Sequence, residues 1–413
     1  MKTKSIILAI VALICFAGNA MADTDKLLAS DGWTKITTLP SSTDIANNYY
    51  VIVDDANDLM LGIAKGVHQD TKWYSLGVYY QTSVSPISKD ILSKTWTLET
   101  QDNGFALRNL EYNVFVMQTE WNAPYKYDTN DVPAPNEWAR IFLAYQNGYW
   151  TIQNGRYPDD GYLGPWEDSN FTNEAECAAN KSGDNIGKFQ IYAISRTQFK
   201  QNLLDNASSS NPVDITPWYV TNATLDANGD GWESTFSNNS EGWWGTHSFG
   251  NLGAENYQQV ADVKQTLTLP AGKYKISVQG ASNKVSENLA YVYATHDENT
   301  VKTFFTQSTV STQDDGKWND MQYNLLLMMQ DRDYGRVTTE EVNVTTGSLT
   351  MGYANEGGWS WDVFDNFKIY CTGLDLQGYI DQLAAVVAEA NSFIESHVVP
   401  GAVETIISNA INT

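Results

Sequence analysis

Trp150-Thr151-Ile152-Gln153-Asn154, leading to Tyr162-Leu163-Gly164, is the stretch on which the fold of this chain turns. Its first five residues alternate large apolar and polar side chains, the period of a half-buried strand. The same form stands upstream, where Phe105-Ala106-Leu107-Arg108-Asn109 leads to Val116-Met117-Gln118. A looser version, Tyr50-Val51-Ile52 leading to Met60-Leu61-Gly62, lacks the asparagine. An apolar triplet recurs with them, as Trp96-Thr97-Leu98, Ile141-Phe142-Leu143 and Phe189-Gln190-Ile191, at spacings of 45 and 48 residues. Each unit reads as two short strands around a polar turn. Strand-built repeats of this length point to propeller blades or to a threefold trefoil, and three units are too few for a propeller. Residues 31–200 are therefore expected to close into a barrel in which Trp96, Ile141 and Phe189 are related by a threefold axis.

On those W-x-I-x-N and Y-L-G phrases the segment resembles the ricin-type β-trefoil lectin domains. The resemblance implies lobe sites that combine an aromatic ring with Asp and Asn or Gln. Asn154, Asp160 and Trp166 make one such set, and Trp121 and Tyr125, with Tyr127, cluster in another loop.

From Thr216 to Thr372 the pattern is again strand. Strands are expected at Val263–Leu269, Lys273–Gln279, Ala290–Ala294, Gln322–Met328, Ser348–Tyr353 and Val363–Tyr370, with Leu325 to Met329 read as a core strand. Three phrases bracket the segment: Asn222-Ala223-Thr224-Leu225-Asp226 with Gly231-Trp232, the hairpin from Lys264 to Tyr274, and Trp361-Asp362-Val363-Phe364-Asp365-Asn366-Phe367. On these phrases it resembles the galactose-binding-like jelly rolls that serve as carbohydrate-binding modules in secreted bacterial proteins.

Asp226, Asn228 and Asp230, with Gly231, spell D-x-N-x-D-G, the first half of a calcium loop. The twelfth position is Ser237, which excludes the helical calcium hand and leaves a polar turn or a different cation site. The jelly-roll resemblance implies a structural Ca2+ between this opening segment and Asp365 on the last strand.

Around the two β segments, Met1 to Ala22 reads as a secretory signal, with Lys2 and Lys4, an apolar middle from Ile6 to Phe16, and Ala20-Met21-Ala22 as the cleavage site. Thr197 to Leu204 suits a short helical turn. Asn206 to Pro212, rich in serine, reads as a linker. After Thr372 the period changes: Leu376, Tyr379, Ile380, Leu383, Val387, Ala390 and Ile394 step by three and four. Pro400-Gly401 interrupts this helix, and Val403 to Ile411 begins a second. Their apolar stripe either pairs within the hairpin or with a partner, or the chain continues in a longer parent. The expected class is all-β and multidomain: signal peptide 1–22, β-trefoil 23–204, linker 205–215, β-sandwich jelly roll 216–372, and a C-terminal α-helical hairpin 373–413.

Composition narrows the function. Lys plus Arg number 25 against 49 Asp plus Glu, a net charge of −24, or −26 without the leader. So negative a surface repels phosphate backbones and anionic membrane faces, and no segment beyond the leader is long enough to span a bilayer. Charged residues are only 18%, while Trp and Tyr number 14 and 23. Flat amphipathic rings on a weakly charged surface suit neutral poly- or oligosaccharides, whose C–H faces stack on rings while hydroxyls take paired hydrogen bonds. Trp243 and Trp244, between Gly242 and Gly245 with His247 nearby, are the expected platform. Trp359 and Trp361 after Gly357-Gly358 are the second, with Trp359 the better placed.

A glycosidase needs two carboxylates flanking the scissile bond; Glu233, Glu241 and Asp362 lie near tryptophans, but none forms a recognisable pair. No nucleophile elbow, phosphate loop or dinucleotide fingerprint is present. The expected protein is a noncatalytic glycan-binding protein, or the binding modules of a larger glycan-degrading one, exported to the periplasm, surface or surroundings of a Gram-negative bacterium. A glycoside hydrolase and a structural surface adhesin are the alternatives.

Overall fold

The computed structural model describes residues 28–54, 59–70, 73–81, 91–113, 115–116, 139–155, 161–165, 174–225, 229–235, 242–247, 250–311, 320–345 and 347–375, with 377, 380, 384–389 and 391–392 of the tail; within 64–81, 165–181, 242–252 and 329–330 only the backbone is described. Six strands form a closed ring: β1 (Asn48–Asp54), β2 (Trp96–Gln101), β3 (Gly104–Asn109), β4 (Ile141–Gln146), β5 (Tyr149–Asn154) and β6 (Phe189–Ser195). Each is antiparallel to the next, and β6 pairs back onto β1. The three joints between hairpin units fall on Tyr50–Trp96, Phe105–Ile141 and Trp150–Phe189. These are the repeated positions of the sequence, so the threefold period is the symmetry of the barrel.

Alternation explains the interior. Tyr50 and Ile52, Trp96 and Leu98, Ile141 and Leu143, Trp150 and Ile152, and Phe189 and Ile191 all point inward and are buried together with Leu107. The two indoles are wholly buried, and each N–H donates to a backbone carbonyl, Trp96 to Leu61 and Trp150 to Ile36, both at 2.9 Å. The β4–β5 turn is Asn147-Gly148, with φ of +55° and +90°. That is the dipeptide a tight hairpin of this twist requires.

The second body is a sandwich. Its larger sheet contains β7 (Gly242–His247), β8 (Gly250–Tyr257), β10 (Gly272–Ser282) and β14 (Trp361–Leu374). Its smaller sheet contains β9 (Ala261–Thr268), β11 (Ala290–His296), β12 (Asn299–Phe304) and β13 (Ser348–Asn355). Val263, Leu267, Val292, Leu349, Met351 and Tyr353 of one sheet meet Ile276, Val278, Phe364, Phe367 and Ile369 of the other. The Tyr353 and Phe364 rings stack with centroids 4.0 Å apart. The opening segment closes the core edge, where the Phe367 N–H donates to the Ala223 carbonyl.

One expected strand is corrected. Asp320–Gln330 is a helix, α2 in this account, with α1 at Arg196–Asp205. Met321, Leu325 and Met328, at steps of four and three, pack on Ala281 and Val363. The run Leu325-Leu326-Leu327-Met328-Met329 satisfies strand and helix alike, and short apolar runs do not separate the two. The serine-rich stretch is folded too: Ser208 bridges Asn211, and Val213–Asp214 pairs with Cys371 and Tyr370 of β14. In the tail the described residues are helical and mostly exposed, Ile380 and Val386 by 59% and 62%; the second helix and the leader lie outside the described residues. Among the described residues no helix is long and apolar enough to cross a membrane.

The two bodies share one apolar cluster. Tyr49 of β1 and Phe199 and Leu203 of α1 meet Val213, Ile215 and Trp218, and the Trp218 indole N–H donates to the Tyr49 hydroxyl at 2.9 Å. Beside it lies a charged knot. Glu111, its side chain 9% exposed, accepts from Lys368 at 2.7 Å and Arg332 at 3.2 Å, and Lys368 also reaches Asp214 at 3.0 Å. Burial alone would raise the Glu111 carboxyl, but Lys368 and Arg332 overcome it and hold the carboxyl below its ordinary range.

Candidate functional site

Among the described residues the most exposed aromatic surface lies at one end of the sandwich. Trp359 is 76% exposed, and the neighbouring loop exposes Tyr257 by 43% and Val260 by 63%. Local chemistry presents them. Asp362 is wholly buried, and one of its carboxylate oxygens accepts from the Tyr353 hydroxyl at 2.6 Å, from the Ser360 hydroxyl at 2.9 Å and from the Asn355 amide. Asn355 in turn accepts, through Oδ1, the N–H groups of Gly357 at 2.9 Å and Gly358 at 3.1 Å. Burial first, then the Asp362 charge, pushes the Tyr353 phenol well above its ordinary value, so it stays a donor. The chain from the core carboxylate to the loop backbone is continuous.

The local backbone favours glycine at Gly358, and Gly357 lies close under Leu289. Gly358 has φ +68°, and a side chain on Gly357 would meet Leu289 at 2.5 Å. The adjoining loop is tied on by Gln258, whose N–H donates to the Ser360 carbonyl at 2.8 Å. Trp361, two residues on, is half-buried; Tyr257 is its partner in the β8–β14 ladder. Its indole N–H donates to Glu255, whose carboxyl burial raises above the ordinary range against the lowering effect of that hydrogen bond.

Of the two candidates Trp359 is the exposed one and Trp361 the half-buried one. Trp243 and Trp244 lie on β7, opposite Glu255 and Ala254 of β8, so their backbone is an edge strand. His247 ends that strand; the side chains of all three lie outside the described residues. Trp121, Tyr125, Asp160 and Trp166 lie outside the described residues as well.

Asn154 is corrected. It is 1% exposed at the end of β5, its N–H on the Gly161 carbonyl, and belongs to the barrel interior. The equivalent Asn109 shows what the position does. Its amide donates to the Ser93 carbonyl, and its oxygen accepts the N–H groups of Glu111 and Tyr112, turning the chain out of the strand. Asp54 holds the place in the first unit, a near-isostere where the sequence had shown only a missing asparagine.

Asp226 and Asn228 lie outside the described residues, and Asp230 is exposed. Asp365 is 6% exposed, accepts from the Asn366 backbone at 2.6 Å and side chain at 2.8 Å, and lies within electrostatic reach of Arg336. The described residues contain no cluster of three or more His, Cys, Asp or Glu suited to a metal, and Asp226 and Asn228, the expected partners of Asp365, lie outside them.

No protein-family model matches this chain, and no curated protein matches it in sequence. Solved structures similar to it in part include ThreeFoil, a designed 3-fold symmetric protein, at 13% identity over 35% of this chain and 96% of that one, with a TM-score of 0.27. A Polyporus squamosus lectin bound to the human-type influenza-binding epitope is similar over 35% of this chain and 48% of its own, at 12% identity and a TM-score of 0.26. TmCBM61 in complex with β-1,4-galactotriose is similar over 37% of this chain and 97% of its own, at 13% identity and a TM-score of 0.22. Each match covers little more than a third of this chain, and likeness in fold does not carry function.

Proposed function

We propose that this chain is an exported, noncatalytic carbohydrate-binding protein that holds a neutral glycan on the Trp359 end of its sandwich. The observation that carries the reading is a large indole, 76% exposed, on a loop whose backbone is pinned by a buried carboxylate network. An exposed apolar patch, here Trp359 with Tyr257 and Val260, is a mark of an interaction site. A loop held in place by that network presents the ring to a sugar without first having to be ordered on binding, one of the costs a mobile loop would otherwise incur. Tyr257 and Val260 extend the apolar floor, and Asn283, whose Oδ1 accepts the Trp361 backbone N–H at 2.8 Å, stands at its polar edge. The leader read from residues 1–22 supports export, and the acidic surface supports a neutral partner over nucleic acid or an anionic membrane.

A glycan array probed with the purified chain tests the reading. Binding of at least one neutral oligosaccharide is expected. Trp359→Ala should weaken it by about tenfold to a hundredfold, because one well-used ring is worth roughly 1 to 3 kcal/mol. Unchanged glycan affinity in Trp359→Ala would move the site elsewhere, and an array blank for every sugar would end the reading.

A further inference from the structure

A cleft of about 530 Å³ lies between the barrel and the opening segment of the sandwich, lined by Tyr49, Glu99, Arg108, Asn113, Arg196 and Thr224 among others. Its electrostatics run against the rest of the chain. The sequence holds only six arginines, and four of them gather at this junction. Arg108 and Arg196 line the cleft, while Arg332 and Arg336 stand behind it around Glu111. Three of the four are balanced or engaged nearby. Arg108 pairs with Glu99 at 2.8 Å, Arg332 with Glu111 at 3.2 Å, and Arg336 donates to the Asn366 carbonyl.

Arg196 differs. Its Nε and Nη2 donate to the carbonyls of Asn48 and Ile45, its guanidinium lies 5.2 Å from the Tyr49 ring centroid, and among the described residues it has no carboxylate partner. In a chain with 49 acids against 25 bases, an unpaired guanidinium is the unusual case. The carbonyls and the ring fix its plane, which leaves Nη1 for a ligand. The acids of the cleft do not oppose an anion, since Glu99 is paired with Arg108, and Glu111 with Lys368 and Arg332.

We infer that this cleft is a second ligand site that takes a carboxylate-bearing sugar, a uronic acid residue one or two rings long, with its carboxylate on Arg196. The inference rests on the carbohydrate reading and assigns the junction a ligand of different charge from the one at Trp359. The volume suits one or two pyranose rings, and the Asn113 amide and Thr224 hydroxyl supply neutral contacts for ring hydroxyls. Residues from both bodies line the cleft, so occupancy ties one body to the other.

Calorimetric titration of the full chain with digalacturonic acid and with neutral digalactose provides the test. Digalacturonate should bind with an affinity that falls as salt rises, since the contact is ionic, and digalactose should not compete for the cleft. Arg196→Gln should weaken digalacturonate by about tenfold to a hundredfold, the scale of a hydrogen bond to a charged group. Because Arg196 also braces two carbonyls, Thr224→Trp is the second variant: it fills the cleft from a loop, and should abolish digalacturonate binding at an unchanged melting temperature. Trp359→Ala should leave digalacturonate affinity as it is. No digalacturonate binding, or equal binding of digalactose in the cleft, overturns the inference. Neutral glycan binding that depends on Trp359 beside a silent cleft would sink this inference alone, whereas loss of every sugar would sink both readings.

Discussion

Tryptophan is used in opposite ways in the two bodies. In the barrel, Trp96 and Trp150 sit at two of the three joints of the threefold repeat, opposite Tyr50 and Phe189, wholly buried, with each indole N–H on a carbonyl. In the sandwich, Trp359 stands 76% exposed beyond a pair of glycines. A closed ring of six strands has a fixed interior volume, and large side chains at matching positions fill it. A sandwich has open ends, where the chain leaves one sheet for the other and a side chain can be held out to solvent. The same residue type therefore reports packing in one body and a surface in the other, and context on the chain tells them apart: a strand period for the first, Gly357-Gly358 for the second.

The sharpest way to break this contrast is Trp150→Ala. Removing a fully buried indole should destabilise the barrel by about 3 to 5 kcal/mol, read as a fall in denaturant midpoint by intrinsic fluorescence and circular dichroism. A loss below 1 kcal/mol would mean that the interior collapses around the gap and that the repeat is not the packing unit.

Glu111→Gln comes next. The change leaves Arg332 with no carboxylate and Lys368 with Asp214 alone in a shielded place, at a cost of about 3 kcal/mol. The pH dependence has a definite sign. The folded carboxyl is held below its ordinary range, so its contribution is whole above the unfolded value near about 4.3 and is lost as pH falls through the folded value. The parent chain should therefore lose stability on acidification below about pH 4, and Glu111→Gln should lose less over the same interval. Parallel curves for the two proteins would remove Glu111 from the junction's stability.

Smaller effects sharpen the other half of the comparison. Gly358→Ala forces a side chain into the left-handed region at φ +68° and against Val260 at 3.3 Å, a cost of roughly 1 kcal/mol. Thermal melting should show it, together with weakened glycan binding as the Trp359 loop shifts. Trp359→Ala should change stability least, within about 0.5 kcal/mol. A larger loss would make the ring a packing residue and erase the contrast.

Much of the barrel was legible because its rules are local. Alternation marks strands, and a repeat marks symmetry, so Tyr50, Trp96, Phe105, Ile141, Trp150 and Phe189 could be aligned before any pairing was known. The sandwich strands were found within a few residues for the same reason, Ser348–Tyr353 within Ser348–Asn355 being one case. The helix Asp320–Gln330 was missed because Met321, Leu325 and Met328 carry its period inside a run that is apolar at nearly every position. The site was half legible. Gly357-Gly358 pointed to Trp359, but Tyr257 and Val260 are a hundred residues away in the chain and reach it only through the β8–β14 ladder. Asn154 looked like a ligand contact because an amide serves a sugar and a buried strand end equally well.

By itself, then, the sequence determined the strands, the threefold repeat and the turns that need glycine, since each depends on neighbours or on a fixed period. It determined the net charge of −24 as well. Only the tertiary structure decided which asparagines and aspartates face inward, how Asp362 reaches Gly357 and Gly358 through Asn355, and that four arginines meet at one junction. Those are contacts between residues far apart in the chain, and a one-dimensional pattern carries no information about which distant groups will share a buried volume.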